Sequence, residues 1–491
     1  MLALHKLKIK RVIVINKRHK FSRRFGRNHA ALVVFLLMSL FSSSSAQQIN
    51  AGDNKAHIPT VISLLLNDDE SPSDTENILL IIADDLGVDN VTAYNEHSQS
   101  AVTPTIDQLA EDGILFRNAW ANPSCAPTRG ALMTGRHAFR TGVTHPEAGQ
   151  NVLDTDEVTI AEVLSEAGYQ TALFGKWHLG NGRGANVATL PTDQGFDFFS
   201  GHINGNIGDY FAWPKATLTA PNQVLADNEI TETQYATEVN TQEAISWINA
   251  TTAPWLAIVA YAAPHSPFHV PPEGRYSNIS LDGEVGEICG RNAADSDDDC
   301  YRAMVETMDS YIDDLLSQIE AQKLENTLIV FMGDNGTPTQ TTINEGTFRS
   351  DHAKGSVFQG GVRVPFIVAG GSEVNISNDE VADLIHVTDL FPTMVDIAGT
   401  QAPQNVEIDG QSLLGLITAS VSVAASRTFQ FSESTNGDDD QWAISDGSTK
   451  FIFDDADGGC YDLTTDAGEL DPDSGNQAVC NQLESNSPRN Q

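Results

Sequence analysis

Basic residues are scarce in this chain: 28 Lys and Arg stand against 66 Asp and Glu among 491 residues, a formal charge of −38. So acidic a surface repels nucleic acid and anionic membranes, which excludes both as stable partners. Long apolar runs are missing too. The run AALVVFLLMSLF at residues 30–41 is about 12 residues long where a bilayer span takes roughly 20, so a spanning helix is not the expectation. No internal repeat is present, and cysteine is limited to five positions. Disorder is excluded as a default, because 40% hydrophobic and 19% charged residues make an ordinary globular composition. The length suffices for two or three average domains, or for one large α/β domain with an appendage.

What is there begins with a basic segment at 1–29, the apolar run at 30–41 and SSSSA ending at Ala46. This layout predicts a signal peptide over 1–46 and a secreted or periplasmic protein, with an uncleaved anchor as the alternative. Residues 47–76 read as a linker. The first 46 residues hold ten of the 28 basic residues and no acidic one, so the exported chain would carry 18 against 66, or −48. Such a charge suits a salty exterior, where screening weakens self-repulsion. Cys289 with Cys300 and Cys460 with Cys480 are the pairs nearest in sequence, one of the three pairings four cysteines allow. Cys125 is left over, and in an exported protein that needs an explanation.

Between Asn77 and about Gly399 strands and helices alternate. NILLIIADD (77–85) is a continuous apolar run ending in acids, as a buried parallel strand does when its carboxyl end reaches a site. TPTIDQLAEDG (103–113) and TIAEVLSEAGY (159–169) predict helices, the first capped by its Thr. TALFGKWHLG (171–180), WLAIVAYAAPHSP (255–267) and NTLIVFMGDNG (326–336) predict strands that run into loops. A long amphipathic helix carries Met304, Met308, Ile312, Leu315 and Ile319 on one stripe, and ADSDDD (294–299) before it reads as a solvated loop. The fold class expected is α/β: a doubly wound, mostly parallel sheet with helices on both faces over 77–400. TFQFSES (428–434), QWAISDGSTKFIFDD (441–455) and GCYDL (459–463) predict a smaller antiparallel subdomain over 401–491.

In such a sheet ligands gather at the carboxyl edge. The strand ends place Asp84 and Asp85, Lys176 and His178, His265, and Asp334 and Asn335 there. Oxygen donors from two separated strands predict a hard-cation site for Ca²⁺ or Mg²⁺.

Cys125 opens CAPTRG, which contains Cys-x-Pro-x-Arg. IADDLG, CAPTRGALMTGR, FGKWHLG, APHSPF, MGDNG, KGSVFQGGVRVP and HVTDLFPTMVDIAG follow one another in order across residues 77–463. The ordered set resembles the type I, formylglycine-dependent sulfatases of the alkaline-phosphatase-like superfamily, and the secreted polysaccharide sulfatases among them. The resemblance implies that Cys125 is oxidised to formylglycine (3-oxoalanine) by a formylglycine-generating enzyme or a radical maturase. It implies one cation, Ca²⁺, held by Asp84, Asp85, Asp334, Asn335 and residue 125. It further implies that Arg129 stabilises the formylglycine and that His178 positions its hydroxyl and acts as base in sulfate release. Lys176 and Lys354 would hold sulfate oxygens, and His265 would protonate the leaving oxygen. The implied substrate is a sulfated carbohydrate.

Two positions depart from the family's wording: Thr128 stands where Ser is usual, and Gln359 where Glu often precedes GG. LGNGRG (179–184) is a poor dinucleotide signal, since no crossover helix opens there. Residues 200–214 read equally as a pocket-lining loop and as an insertion. Two other functions stay open, a phosphonate monoester or phosphodiester hydrolase on the same fold, and a carbohydrate-binding homologue that never receives the aldehyde.

Overall fold

The central strand Asn77–Ala83 (β1) is buried at every residue, and its side chains alternate between two apolar layers. Ile78, Leu80 and Ile82 join one layer, and Leu79, Ile81 and Ala83 the other. A strand covered on both faces has no polar side, which is why its sequence runs apolar without a break.

The computed structural model describes residues 77–490 apart from 148–150, 181–189, 222–223, 253, 291–292, 342–346, 372–378, 419–426, 437–438 and 455–457. The signal peptide expected at 1–46, the linker at 47–76 and residues 181–184 of the glycine-rich stretch lie outside the described residues.

Further strands are Ile114–Trp120 (β2), Gln170–Lys176 (β3), Phe198–His202 (β4), Trp213–Thr219 (β5), Glu229–Glu232 (β6), Trp255–Ala260 (β7), Thr327–Gly333 (β8), Phe366–Gly370 (β9) and Asp379–His386 (β10). They form one sheet in the order β10-β2-β9-β8-β1-β7-β3-β4-β5-β6. The centre β8-β1-β7-β3-β4 is parallel throughout, while β9, β5 and β6 run antiparallel to their neighbours. The sheet is therefore mixed but parallel where the predicted strand ends meet.

Seven helices of seven or more residues are labelled: Pro104–Asp112 (α1), Cys125–Thr134 (α2), Ile160–Glu166 (α3), Ala236–Ala250 (α4), Asp297–Gln318 (α5), Leu390–Ile397 (α6) and Gln477–Ser485 (α7). Side chains of α2, α3 and α6 pack on one face of the sheet, and those of α1, α4 and α5 on the other. Thr159 and Glu162 close a reciprocal cap at the start of α3. Thr103 makes no such bond to α1; instead Asp309 of α5 accepts from the amides of Thr105 and Ile106. The acidic run expected as a solvated loop also folds differently. Ser296 caps α5, and Asp297, Asp298 and Asp299 form its first turn, where negative charge meets the positive end of the helix.

Strands Gln430–Asn436 (β11), Asp439–Ser445 (β12), Thr449–Phe453 (β13) and Gly459–Asp462 (β14) make a separate antiparallel sheet in that order. Ser432 on β11 donates to the carbonyl of Ala121 at 2.9 Å, bracing the segment that leads to Cys125. Disulfides join Cys289 to Cys300 and Cys460 to Cys480, and Cys125 is free and buried.

Candidate active site

Parallel strands end at one edge, and register decides which residues meet there. Ala83 of β1 pairs with Gly333 of β8, so Asp84 and Asp334 emerge side by side. The Asp334 amide donates to the Ala83 carbonyl at 3.0 Å, and the Asp85 amide to Asp334 Oδ1 at 3.1 Å. A side chain at Gly333 would meet the Leu86 carbonyl at 2.2 Å, so only glycine lets the two turns approach this closely. Asp85 and His178 both hold positive φ, 69° and 60°, a strained conformation that the surrounding bonds must maintain.

The strand ends, the start of α2 and the loop carrying Lys354 bring the residues expected at the site together, the carboxylates and cationic groups bonded to one another and Cys125 paired with His178. Lys176 Nζ donates to Asp84 Oδ2 at 2.5 Å, and both side chains are fully buried. Arg129 donates from Nε and Nη2 to Asp334 Oδ2 at 3.0 and 2.8 Å, and from Nη1 to the Lys176 carbonyl at 2.8 Å. Lys354 Nζ lies 2.5 Å from Asp85 Oδ1, Asn335 Nδ2 donates to the same oxygen at 2.9 Å, and His265 Nε2 is 3.8 Å from Asp85 Oδ2.

The donor set fits a hard cation. Asp84 Oδ1 and Asn335 Oδ1 are buried without a hydrogen-bond partner, and Asp84, Asp85 and His265 can bring one ligand atom each within 4.8 Å of one another. Orphaned carboxylate and amide oxygens are the ligands Ca²⁺ and Mg²⁺ take. Burial, and then Asp334, push the Asp84 carboxyl well above its usual range despite Lys176. Burial acts on Asp85 in the same sense, but Lys354, His265 and Lys176 outweigh it and hold that carboxyl below its range.

Cys125 is the first residue of α2, so its side chain sits at the positive end of a ten-residue helix. Its Sγ is 3.2 Å from His178 Nδ1, while His178 Nε2 is 3.0 Å from the Pro146 carbonyl. A carbonyl only accepts, so Nε2 carries the proton and Nδ1 presents a lone pair to residue 125. Burial, Lys176 and Arg129 keep this ring neutral. A side chain at Gly205 would come within 2.3 Å of His178 Nε2, so the glycine makes room for the imidazole. His265 donates from Nδ1 to its neighbour's carbonyl, Ser266 O, at 2.7 Å. Burial lowers its pKa to about 4, with Lys176 and Lys354 opposing the pull of Asp85.

Both departures from the expected wording have structural roles. Thr128 Oγ1 accepts from the Asn122 amide and donates to the Asn122 carbonyl, closing the turn before Cys125. Gln359 Oε1 accepts from Trp120 Nε1, and the Gln359 backbone N–H donates to Glu469.

A depression of about 410 Å³ opens over Cys125, His178, His265 and Lys354. Asn151, Asn204 and Asn206 also line it; the last two belong to the stretch 200–214 that the sequence left undecided, and no motif marked them. A larger cleft of about 750 Å³ lies away from these groups, and its buried carboxylates Glu306 and Asp309 are already engaged with backbone amides.

The sulfatase family model matches residues 76–400. Arylsulfatase J of Mus musculus is 30% identical over 354 residues, 69% of this chain and 55% of that protein, so the match spans little more than half of that relative's length. Arylsulfatase A of Bos taurus is 30% identical over 370 residues, covering 70% of this chain and 67% of that protein. Among solved structures, Ps i-CgsB superposes with a TM-score of 0.69 at 26% identity, covering 84% of this chain and 93% of that one. The same protein in complex with k-i-k-neocarrahexaose matches with the same score at 25% identity. The PsFucS1 sulfatase from Pseudoalteromonas sp., at 23% identity and a TM-score of 0.64, shares the fold, covering 87% of this chain and 92% of its own. With the family's pattern matched over two thirds of its length and its strand ends converging on one site, this chain belongs to the sulfatase family.

Proposed function

We propose that this chain is a sulfuric ester hydrolase that removes sulfate from a sulfated carbohydrate, using a formylglycine made from Cys125 and a bound Ca²⁺. The observation that carries the reading is a free, buried cysteine opening α2 beside His178, facing Lys354 and His265 across one depression. Family membership and relatives named as arylsulfatases support the reaction class. A solved relative that binds k-i-k-neocarrahexaose supports a carbohydrate substrate. The two disulfides support export to an oxidising compartment. In this reading 77–400 is the catalytic domain and 401–491 an accessory one.

Asp84, Asp85, Asp334, Asn335 and residue 125 would hold the cation. When present, the cation supplies positive charge for the sulfuryl oxygens and the hydrated formylglycine a nucleophilic oxygen. The chain's own groups do the rest. His178, with its proton fixed on Nε2 by Pro146, offers Nδ1 as the base for a hydroxyl at residue 125. Arg129 anchors Asp334 and the Lys176 carbonyl, tying the cation ligands to β3. Lys176 and Lys354 carry the positive charge that sulfate oxygens meet, in a site where burial strengthens the attraction. His265 gives a proton to the leaving oxygen from Nε2. An arriving sulfate ester adds negative charge beside this ring and so favours the imidazolium it needs.

Peptide mass spectrometry of the secreted protein tests the reading. A loss of about 18 Da at Cys125, the exchange of SH₂ for O, is expected from a host with the maturation machinery. Parallel assays on sulfate, phosphodiester and phosphonate esters then separate a sulfatase from a phosphorus hydrolase. An unmodified thiol from such a host would sink the catalytic reading and favour a binding protein.

A further inference from the structure

His202 ends β4 in parallel register with Lys176 at the end of β3. Residues paired in register project to the same face of a sheet. That face is covered by α4, because Ser200, two residues earlier on β4, donates to Glu243 of α4. One turn back along α4 from Glu243 is Asn240, brought to the level of His202. His202 and Asn240 therefore share the layer between α4 and the sheet, and Lys176 borders it: Asn240 Nδ2 would lie 3.2 Å from a side chain at Gly175, the residue before Lys176, and Lys176 is the foremost charge acting on His202.

The layer around them is apolar, with Phe174, Trp213 and Val239 among its members. His202 and Asn240 are each 1% exposed, yet neither imidazole nitrogen and neither amide atom has a hydrogen-bond partner. Burial, with Lys176 and then Arg129, keeps the imidazole neutral, so one nitrogen offers a lone pair and the other an N–H. Four orphaned polar atoms in an apolar layer are unfavourable unless water reaches them, and buried water is held by just such groups. The ammonium of Lys176 supplies the complementary need. It has three N–H donors and a single described partner, Asp84.

We propose that His202 and Asn240 build a buried water site that fixes the direction of the Lys176 ammonium. The imidazole lone pair and the amide oxygen accept, through the water, the proton that Asp84 does not take. The remaining N–H is thereby aimed at the position of the sulfate oxygens. His202 and Asn240 are positioning residues that act through Lys176, and this kinetic role rests on the function proposed above for Lys176.

A crystal structure of the full chain at a resolution that shows ordered water is the first test. Density for a water within hydrogen-bond distance of His202 and Asn240 is expected; a dry space overturns the proposal. Kinetics of the matured protein on an aryl sulfate, 4-nitrophenyl sulfate, provide the second test. His202→Phe removes both nitrogens but keeps a flat ring beside Trp213, so the variant should fold with a Tm close to that of the wild type. Its kcat should nevertheless fall about tenfold, the loss expected from one hydrogen bond to a charged group, and His202→Gln should restore most of it. Asn240→Leu, on a different element, should show the same split between Tm and kcat. Unchanged kcat in both variants overturns the positioning role. A wild-type protein with no turnover of the aryl sulfate would count against the proposed function alone, and the water density would then decide this site.

Discussion

Lys176 Nζ lies 2.5 Å from Asp84 Oδ2, and neither side chain is exposed to solvent. A buried pair of this kind costs more to break than to form, because the surviving charge has no water to turn to. Lys176→Met is therefore expected to destabilise cation-free protein by about 3–5 kcal/mol. Saturating Ca²⁺ should recover much of that loss by taking over the charge of Asp84. Denaturation midpoints with a chelator and with Ca²⁺ check this, and equal losses in both conditions would count against a cation at Asp84.

Cation binding itself should be visible as stability. A ligand at about a hundred times its Kd stabilises the folded state by about 2.7 kcal/mol, so Ca²⁺ should raise the wild-type Tm and a chelator should lower it. Asn335→Leu, which removes an orphaned buried oxygen, should blunt that response. Calorimetric scans across a Ca²⁺ titration would expose a variant that still responds fully.

Acid should destabilise the protein through buried histidines that do not line the depression over Cys125. Burial, helped by Arg427 and Arg140, lowers the pKa of His137 to about 3, and its ring packs 5.1 Å from that of His386. The unfolded chain takes up this proton near pH 6.5, so the stabilisation is complete above that pH and is lost as pH falls towards 3. Each unit below about 6.5 costs about 1.4 kcal/mol for this group. His137→Phe keeps the ring contacts with Phe139 and Phe431 and should show a shallower fall of Tm between pH 6.5 and 4.5. Parallel Tm curves for the two proteins would refute the assignment.

Salt should help a polymeric substrate reach the site. A chain of formal charge −38 repels a polyanion at long range, although Arg129, Lys176, Lys354 and a bound cation would make its site locally positive. Raising ionic strength from about 0.01 to about 0.15 M shortens the screening length from about 30 to about 8 Å. Turnover of a sulfated polymer should rise over that range, while that of a small sulfate ester should change little. A steady fall with the polymer would contradict the electrostatic account.

Lys450, fully buried, lies 2.7 Å from Glu469 and over the ring of Trp120, whose indole N–H meets Gln359. Lys450→Met alone should cost about 3–5 kcal/mol, and Lys450→Met with Glu469→Gln much less, because the pair's removal leaves no unpaired charge. A double-mutant cycle read by chemical denaturation decides this.

The sequence carried the site because each chemical group follows a strand whose burial writes itself as an apolar run. ADD after NILLII and GDN after LIVFM were legible in this way, as were Lys176 and His178 after TALFG. Lys354 was different, since KGSVFQGG has no period of its own and only the ordered resemblance marked it. Thr103 looked like a helix cap, but Asp309, 204 residues from Thr105, does that work. Asp297 to Asp299 read as a loop because composition weighs charge, not the electrostatic benefit of acids at the start of a helix.

By itself the sequence determined the alternation of buried strands and amphipathic helices, the identity of the groups at each strand end, and the isolation of Cys125 from the other four cysteines. Those are properties of local period and composition. Only the tertiary structure decided that Ala83 lies level with Gly333 and Lys176 with His202. Register between strands is set by how whole side-chain layers pack, and no single strand's sequence records its partner.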